Sequence, residues 1–416
     1  MNKNRKIKTL AKKISVVAAS AAMATSALVA PAFAAGSNYT DTIEGVKTTT
    51  FDKYLVMDKQ AHVPNSSFTY AVTAGPAKAF DVAGKTMEIL AGITPEKVTM
   101  AGVGGDKTAP NTIEFKQGDV TEEGANALVK NYDNTTEKYA KKTATLDFSQ
   151  VVFPEPGIYR YVITESGNNQ AITNDADLTR VVDVYVHDKS DAMHKKLEIA
   201  GYVLHSNVND APTVNMDAPS GEFGSTGSYV STKSQGFTNE YTTHDLTIKE
   251  EVTGNQASRD KYFKFTVNIT NAVAGTKYDV DIAKADATVS KNAATLDEYE
   301  GKSNPTSITV GPDGNATADF YLQHGQEVKI NGIADTTSYN WTQVEEDYKK
   351  DAAASVGYTD EIKASIKKDS KTSFKNTRNG QIPTGVIMTV APFAVVTLVG
   401  GIGLVTMVMK KNKKDE

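Results

Sequence analysis

Apolar and polar residues alternate repeatedly between Thr48 and Tyr241, for example in residues 158–163 and 181–186. A period of two with many β-branched and aromatic side chains predicts strands that are buried on one face. Turn sequences separate these segments and continue in the second half, as in residues 311–314. Many short antiparallel strands of this kind predict an all-β protein built from β-sandwiches. Little helix is expected, apart from a short piece such as Glu122 to Tyr132.

The second half of the chain repeats the order of the first. Each half opens on a strand-like apolar segment and closes on an aromatic residue that an Asn soon follows. This repeat predicts two tandem immunoglobulin-like β-sandwich domains, residues 35–242 and 243–379. The first is larger because of a polar insertion around residues 75–145, which we expect to be a surface excursion. The opening segments are residues 51–55 and 246–252, and the closing segments are residues 236–241 and 373–377.

Longer apolar runs occur near both ends. A basic segment, an apolar run from Ile14 to Ala30 and an Ala-x-Ala site predict a cleaved signal peptide over residues 1–34. Near the other end, Val386 to Met409 carries no charge. As a helix it would reach about 36 Å, enough to cross a bilayer, with the lysines behind it in the cytoplasm.

A short polar motif precedes that second apolar run: Gln381, Ile382, Pro383, Thr384 and Gly385. The order of motif, apolar segment and basic tail, residues 381–416, resembles the cell-wall sorting signal of Gram-positive surface proteins. The resemblance implies that a sortase cuts between Thr384 and Gly385 after transient anchoring in the membrane.

The amino-acid composition argues against several classes of function. The chain has no Cys, so neither disulfides nor thiolate chemistry can contribute. The formal net charge is -5 with a pI of about 5.8, and both signs are spread along the chain, so no nucleic acid is expected as a partner. The scattered histidines predict no metal site, and no cofactor is expected. No nucleophile-elbow or zinc-helix motif appears, so we do not expect an enzyme acting on an external substrate.

Three polar residues fall on faces that the alternation turns toward the core. Lys53 shares the face of Phe51 and Leu55, and Glu165 and Asn239 lie on the apolar faces of their own segments. Burial lowers the pKa of a lysine and raises that of a carboxyl. An uncharged Lys53 could therefore attack the Asn239 side chain while Glu165 polarises its carbonyl and moves protons, giving an isopeptide bond and ammonia. The alternative is an ordinary ion pair, or exposed side chains.

Four segments together resemble a known family: residues 51–55 (Phe-Asp-Lys-Tyr-Leu), 64–70, 156–165 and 237–239 (Phe-Thr-Asn). From Thr48 onward the chain is similar to the two-domain, isopeptide-bonded backbone pilins of Gram-positive bacteria, whose domains are CnaB-like sandwiches. The resemblance implies that Lys53 is joined to Asn239 with Glu165 as the catalyst.

The second domain departs from the family pattern. Glu345 and Asn376 match the catalyst and the acceptor, but the position of the lysine holds Glu250. Lys249 comes one residue early, and because side chains alternate along a strand it should point away from the core. We therefore expect no cross-link of the family type in this domain, unless a one-residue bulge turns Lys249 inward.

The resemblance further implies a secreted shaft subunit of a surface pilus, covalently attached to the cell wall. The Thr384 carbonyl would be joined to a lysine of the next copy, for which Lys233 is the candidate and Lys195 or Lys196 the alternatives. Expected partners are further copies of the chain, pilus-class and housekeeping sortases, minor tip and base pilins, and peptidoglycan. The alternative function is a monomeric, wall-anchored adhesin that binds a host ligand.

Overall fold

The computed structural model describes residues 43–82, 85–101, 111–167, 171–194, 196–212, 234, 236–284, 303–344, 347–350 and 369–380. The predicted signal peptide and sorting signal lie outside these residues, as do Lys195, Lys233 and Glu345. Across the described part of the chain, no helix is both long and apolar enough to span a membrane.

The all-β prediction is confirmed, since regular structure in the described residues is strand apart from one 3-10 turn at Pro95–Lys97. The first half holds β1 (Glu44–Gly45), β2 (Thr48–Asp58), β3 (Ser66–Ala74), β4 (Lys78–Val82), β5 (Lys85–Ala91), β6 (Thr99–Ala101), β7 (Thr112–Phe115), β8 (Thr121–Glu122), β9 (Glu137–Asp147), β10 (Gly157–Ser166), β11 (Ile172–Thr173), β12 (Thr179–Asp188), β13 (Leu197–His205) and β14 (Gly236–Tyr241). The second half holds β15 (Thr243–Thr253), β16 (Phe263–Thr270), β17 (Lys277–Lys284), β18 (Ser307–Thr309), β19 (Ala316–Leu322), β20 (Gln326–Ala334), β21 (Ser338–Gln343), β22 (Lys349–Lys350) and β23 (Ser370–Thr377).

Each half forms two sheets that enclose an apolar core. In the first half one sheet has the order β1-β13-β12-β10-β3-β7, with β4 and β5 beside β10, and the other has the order β11-β14-β2-β9-β6, with β8 beside β9. In the second half the orders are β18-β17-β20-β15-β23-β22 and β19-β16-β21. Alternate residues of both sheets supply each core, which is the packing of a β-sandwich.

The insertion around residues 75–145 is not the surface excursion that its polar composition predicts. β5 pairs in parallel with β10, and β9 pairs along the whole length of β2. Ala140 and Ala144 of β9 are completely buried. Lys141 and Thr143 between them are exposed on the outer face of the strand, so composition alone concealed a central element of the sandwich.

The predicted helix from Glu122 to Tyr132 is also wrong. Glu122 ends β8, and turns and irregular structure follow. Gly124 and Asn131 have φ of 138° and 57°, on the left-handed side that a right-handed helix excludes. The Asn126 side chain accepts the N–H of Leu128 at 3.0 Å, which is a local turn that competes with helix.

The first and last strands of each half lie side by side and parallel. β14 pairs with β2, and β23 pairs with β15. Thr242 alone separates β14 from β15. The Thr243 hydroxyl donates to Asp58 at 2.6 Å, and His62 Nε2 lies 2.8 Å from an Asp279 oxygen, so the end of β2 and the loop after it contact the second half.

Candidate functional site

Lys53 is held in the middle of the first core by β2, which runs between β14 and β9. Its side chain is completely buried and it lies opposite Phe237 in the register of β2 with β14. Asn239 follows two residues after Phe237 and therefore lies on the same face of β14. Glu165 comes from β10 in the facing sheet and closes the group from the other side.

The three side chains are within hydrogen-bond distance through one carboxylate. Lys53 Nζ donates to both oxygens of Glu165, at 2.8 and 2.7 Å. Asn239 Nδ2 donates to Oε1 of the same carboxylate at 2.8 Å. All three residues are at most 1% exposed. The amine and the carboxamide thus meet at a shared oxygen that is shielded from water.

Aromatic side chains form the walls of this site. Lys53 Nζ lies 4.2 Å from the centre of the Phe68 ring and 6.0 Å from that of Phe237. The Tyr70 hydroxyl donates to Glu165 Oε2 at 2.8 Å, and burial keeps the pKa of Tyr70 well above its usual value. Removal from water lowers the pKa of Lys53 to about 8, although the adjacent Glu165 acts in the opposite direction. A neutral amine is therefore accessible near neutral pH.

The carbonyl side of Asn239 has its own partner. Its Oδ1 accepts the backbone N–H of Asp175 at 3.0 Å. Asp175 forms a buried ion pair with Arg180, so the segment that carries this N–H is anchored in the core. Every polar atom of the carboxamide is hydrogen bonded inside the protein.

The second domain holds a different group at the equivalent place. Phe374 of β23 lies opposite Glu250 of β15, as Phe237 lies opposite Lys53 in the first domain. Asn376 Nδ2 donates to Glu250 Oε1 at 2.7 Å. Glu250 is completely buried, and this burial raises its pKa to about 9. The site therefore holds a neutral carboxyl beside the Asn, and a carboxyl is not a nucleophile for isopeptide formation.

Lys249 does not replace the missing amine. It is only partly buried and alternates with the buried Glu250, and the pairing of β15 with β23 continues through it without a register shift. The Gln343 side chain lies 3.4 Å from Glu250 Oε2 and completes the polar group. Glu345, the predicted catalyst, lies outside the described residues.

The remaining predicted residues fall largely outside the described ranges. These include the sorting motif and two of the three candidate linking lysines, Lys233 and Lys195. Lys196 is described, and its Nζ lies 3.0 Å from Glu44. In the described residues no group of three or more His, Cys, Asp or Glu side chains could hold a metal ion.

Sequence reasoning missed three members of these sites. Tyr70 could have been identified from the sequence, because it lies two residues after Phe68 and so shares the apolar face of its strand. Asp175 acts through its backbone N–H, and a backbone group leaves no mark in the residue types. Gln343 lies two residues before Glu345 in the sequence, and only its contact with Glu250 in the folded domain identifies it.

The fold and the Lys-Glu-Asn group define a class of two-domain β-sandwich proteins with a buried, hydrogen-bonded polar cluster in the core. Residues 65–242 match the family model described as "Spy0128-like isopeptide containing domain", and residues 244–378 match a domain of unknown function, DUF7601. The first of these two units is therefore similar to the Spy0128-like isopeptide containing domain.

Relatives over most of the chain carry the name pilin. The chain is 25% identical over 396 residues to "Pilin" of Streptococcus pyogenes serotype M1, which covers 91% of this chain and 95% of the relative. Among solved structures, the major pilin of Streptococcus pyogenes aligns with 18% identity and a TM-score of 0.48, over 81% of this chain and 100% of that one. A second, the major pilin T3.2 of the same species, aligns with the same identity and score over 82% of this chain and 100% of that one.

Proposed function

We propose that this chain is the major structural subunit of a sortase-assembled pilus and that its first domain carries a self-formed isopeptide bond between Lys53 and Asn239. The observation that carries the proposal is the buried contact of Lys53 and Asn239 with one Glu165 oxygen. The match to an isopeptide containing domain and the similarity to a pilin over most of the chain support it.

The proposed bond requires only groups that the core already holds. The neutral amine of Lys53 attacks Cγ of Asn239, and Glu165 takes the one proton that the attacking nitrogen loses as it becomes an amide. Glu165 then returns the proton to the departing nitrogen, which leaves as ammonia. Holding the reacting groups together in the core can be worth an effective concentration on the order of 10⁵ M or more.

The second domain is proposed to fold without a cross-link. Glu250 takes the register position of the lysine, and its neighbours Asn376 and Gln343 are carboxamides. None of these three side chains can supply an amine nucleophile. The proposed domain boundary, residues 35–242 and 243–379, is supported by the end of β14 at Tyr241 and the start of β15 at Thr243.

Intact mass measurement tests the bond directly. The full chain should be lighter than its sequence by one ammonia, and Lys53→Ala, Glu165→Ala and Asn239→Ala should each restore the full mass. Lys142→Ala is the matched control, because Lys142 lies opposite Lys53 on β9 and pairs with Asp119 instead. A wild-type chain at full mass contradicts the proposed bond, and a deficit of two ammonias contradicts the proposed unlinked second domain.

Polymerisation is proposed to proceed through Thr384 and a lysine of the next copy, with Lys233 as the acceptor. In cells that express the sortase, the wild-type chain should give a ladder of high-mass species that resists boiling in detergent. Lys233→Ala should abolish the ladder and leave wall attachment intact, whereas Lys196→Ala should leave both unchanged. A single wall-linked species from the wild type would instead favour the monomeric adhesin.

A further inference from the structure

The carboxamide of Asn239 lies between a hydrogen-bond acceptor, the Glu165 carboxylate, and a hydrogen-bond donor, the backbone N–H of Asp175. Its Nδ2 donates to Glu165 Oε1 at 2.8 Å and to Asn174 Oδ1 at 3.3 Å. Its Oδ1 accepts the backbone N–H of Asp175 at 3.0 Å. Because a backbone N–H can only donate, this contact fixes the carbonyl oxygen on the side away from Glu165.

We propose that the backbone N–H of Asp175 is the oxyanion donor for isopeptide formation and that the Asp175–Arg180 pair positions it. The proposal rests on the Lys53–Asn239 bond proposed above. The roles it assigns differ from those of the sequence prediction, in which Glu165 polarises the carbonyl. Glu165 contacts both nitrogens and moves the proton, and Asp175 stabilises the oxygen.

The balance of the reaction follows from these contacts. As Lys53 Nζ forms its bond to Cγ of Asn239, the electron pair of the C=O π bond moves to Oδ1, directly against the Asp175 N–H. Glu165 carries one proton from Nζ to Nδ2. The C–Nδ2 bond then breaks, the C=O bond forms again and ammonia leaves. A donor aimed at the oxygen that gains charge is among the largest contributions to acyl transfer in enzymes.

Buried contacts hold this donor in place. The Asp175 carboxylate accepts the backbone N–H of Thr238 at 2.9 Å and pairs with Arg180. Arg180 is completely buried, lies 4.6 Å from the centre of the Phe237 ring and donates to the Gly236 carbonyl at 2.8 Å. Asp175, just before β12, and Arg180, in β12, thus contact β14 at the residues on either side of Phe237, close to Asn239.

The leaving nitrogen also has an exit. A cleft of about 330 Å³ is lined by Asn174, Asp175 and Asn239, together with exposed Thr173 and Ala176. The amine side of the site is closed by aromatic rings, as described above. Ammonia can therefore leave on the side of Asn239 without the core opening around Lys53.

The rate of bond formation tests the proposal. Full-length chain is recovered unfolded and unreacted from inclusion bodies, refolded by dilution at a series of pH values, and followed by intact mass for ammonia loss and by circular dichroism for folding. The variant is Asp175→Asn, which keeps a side-chain acceptor and removes the charge. The matched control is Asp183→Asn, because the Arg160–Asp183 pair is just as buried but does not contact Asn239.

The rate of bond formation at high pH, where it no longer changes with pH, distinguishes loss of the positioning by Asp175 from loss of its charge alone. The charged groups that act on Lys53 are Glu165, Asp175 and Arg180, and Asp175 raises the lysine pKa. Loss of the Asp175 charge alone would therefore move the pH profile to lower pH and leave the plateau unchanged. We expect the plateau rate of Asp175→Asn to fall by about 10-fold or more, with Asp183→Asn at the wild-type rate. A wild-type plateau for Asp175→Asn overturns the proposal.

A crystal structure of the linked wild type gives a second, independent test that requires no variant to fold. In the isopeptide the nitrogen carries the lysine, so the orientation of the amide is unambiguous. The carbonyl oxygen should lie within hydrogen-bond distance of the Asp175 nitrogen, and an oxygen turned toward Glu165 overturns the proposal. A folded wild type that retains all its nitrogen refutes the Lys53–Asn239 bond itself, which is a different outcome from a slow variant.

Discussion

Replacing Asn239 with Ala removes the electrophile while the Lys53–Glu165 ion pair stays in place. The proposed bond closes a loop of about 186 residues, for which the chain-entropy model assigns about 5 kcal/mol at 25 °C. The variant also leaves the buried Asp175 N–H without its acceptor, which costs about 1–3 kcal/mol more. The first domain should therefore lose about 6–8 kcal/mol of unfolding free energy.

Differential scanning calorimetry measures this loss for each domain. For a domain of this size, 1 kcal/mol corresponds to roughly 2–4 °C in Tm, so the first-domain transition of Asn239→Ala should fall by roughly 12–30 °C. Asn376→Ala is the matched control, since it breaks the hydrogen bond to Glu250 in a domain without a cross-link. It should cost about 1–3 kcal/mol in the second-domain transition and leave the first unchanged.

Mass measurement on the same samples makes the result decisive. If the wild type has lost one ammonia and Asn239→Ala still melts within about 5 °C of it, the loop-closure reasoning is wrong for this protein. If both Asn variants cause shifts of the same size, the first-domain Asn contributes no more than an ordinary buried hydrogen bond.

Three further predictions concern the buried carboxyl and the amine. Because Glu250 has a folded-state pKa of about 9, above its unfolded value, its contribution to stability is complete below about pH 4.5 and is lost as the pH rises toward 9. Glu250→Gln should remove this slope from the second-domain transition in chemical denaturation at pH 5 to 9, and an unchanged slope would place its origin elsewhere. Glu250→Lys combined with Gln343→Glu should install a Lys-Glu-Asn group and release a second ammonia, and adding Asn376→Ala should prevent that release. Bond formation during refolding should accelerate as the pH rises through about 8, where Lys53 becomes neutral, and a flat profile would mean that its proton passes to Glu165 without regard to bulk pH.

The β-sandwich class was predictable because its signal is local. Alternation along each strand gives the buried face, and the same alternation turned Lys53, Glu165 and Asn239 inward. β9 was missed because its exposed face contributes polar residues, while its partner β2 lies about 90 residues earlier in the chain. The turns after Glu122 were missed because left-handed residues such as Asn131 depend on the surrounding structure as well as on residue type.

The two sites differ in how far the sequence defines them. The register of the closing Phe-x-Asn segment against the opening strand could be predicted from spacing, and it identifies Glu250 as the counterpart of Lys53. The contact between Asp175 and Asn239 could not, because it joins a backbone group to a side chain 64 residues away. Spacing predicts which side chains share a face, but an oxyanion donor of this kind appears only when the loops are placed.

The parallel pairing of β15 with β23 determines how the second domain would respond to a pull along a filament. A pull acts on the start of β15 and on the end of β23, which lie at opposite ends of this parallel pair. The eight register pairs from Leu246–Ser370 to Thr253–Thr377 are therefore loaded in shear at the same time and do not break one after another. Once they part, the chain they enclose could extend by roughly 400 Å, at about 3.4 Å per residue. A covalent link between β2 and β14 would deny the first domain this extension. Each subunit would then combine a first domain that cannot lengthen under load with a second domain that can unfold, absorb the energy of a sudden pull and refold.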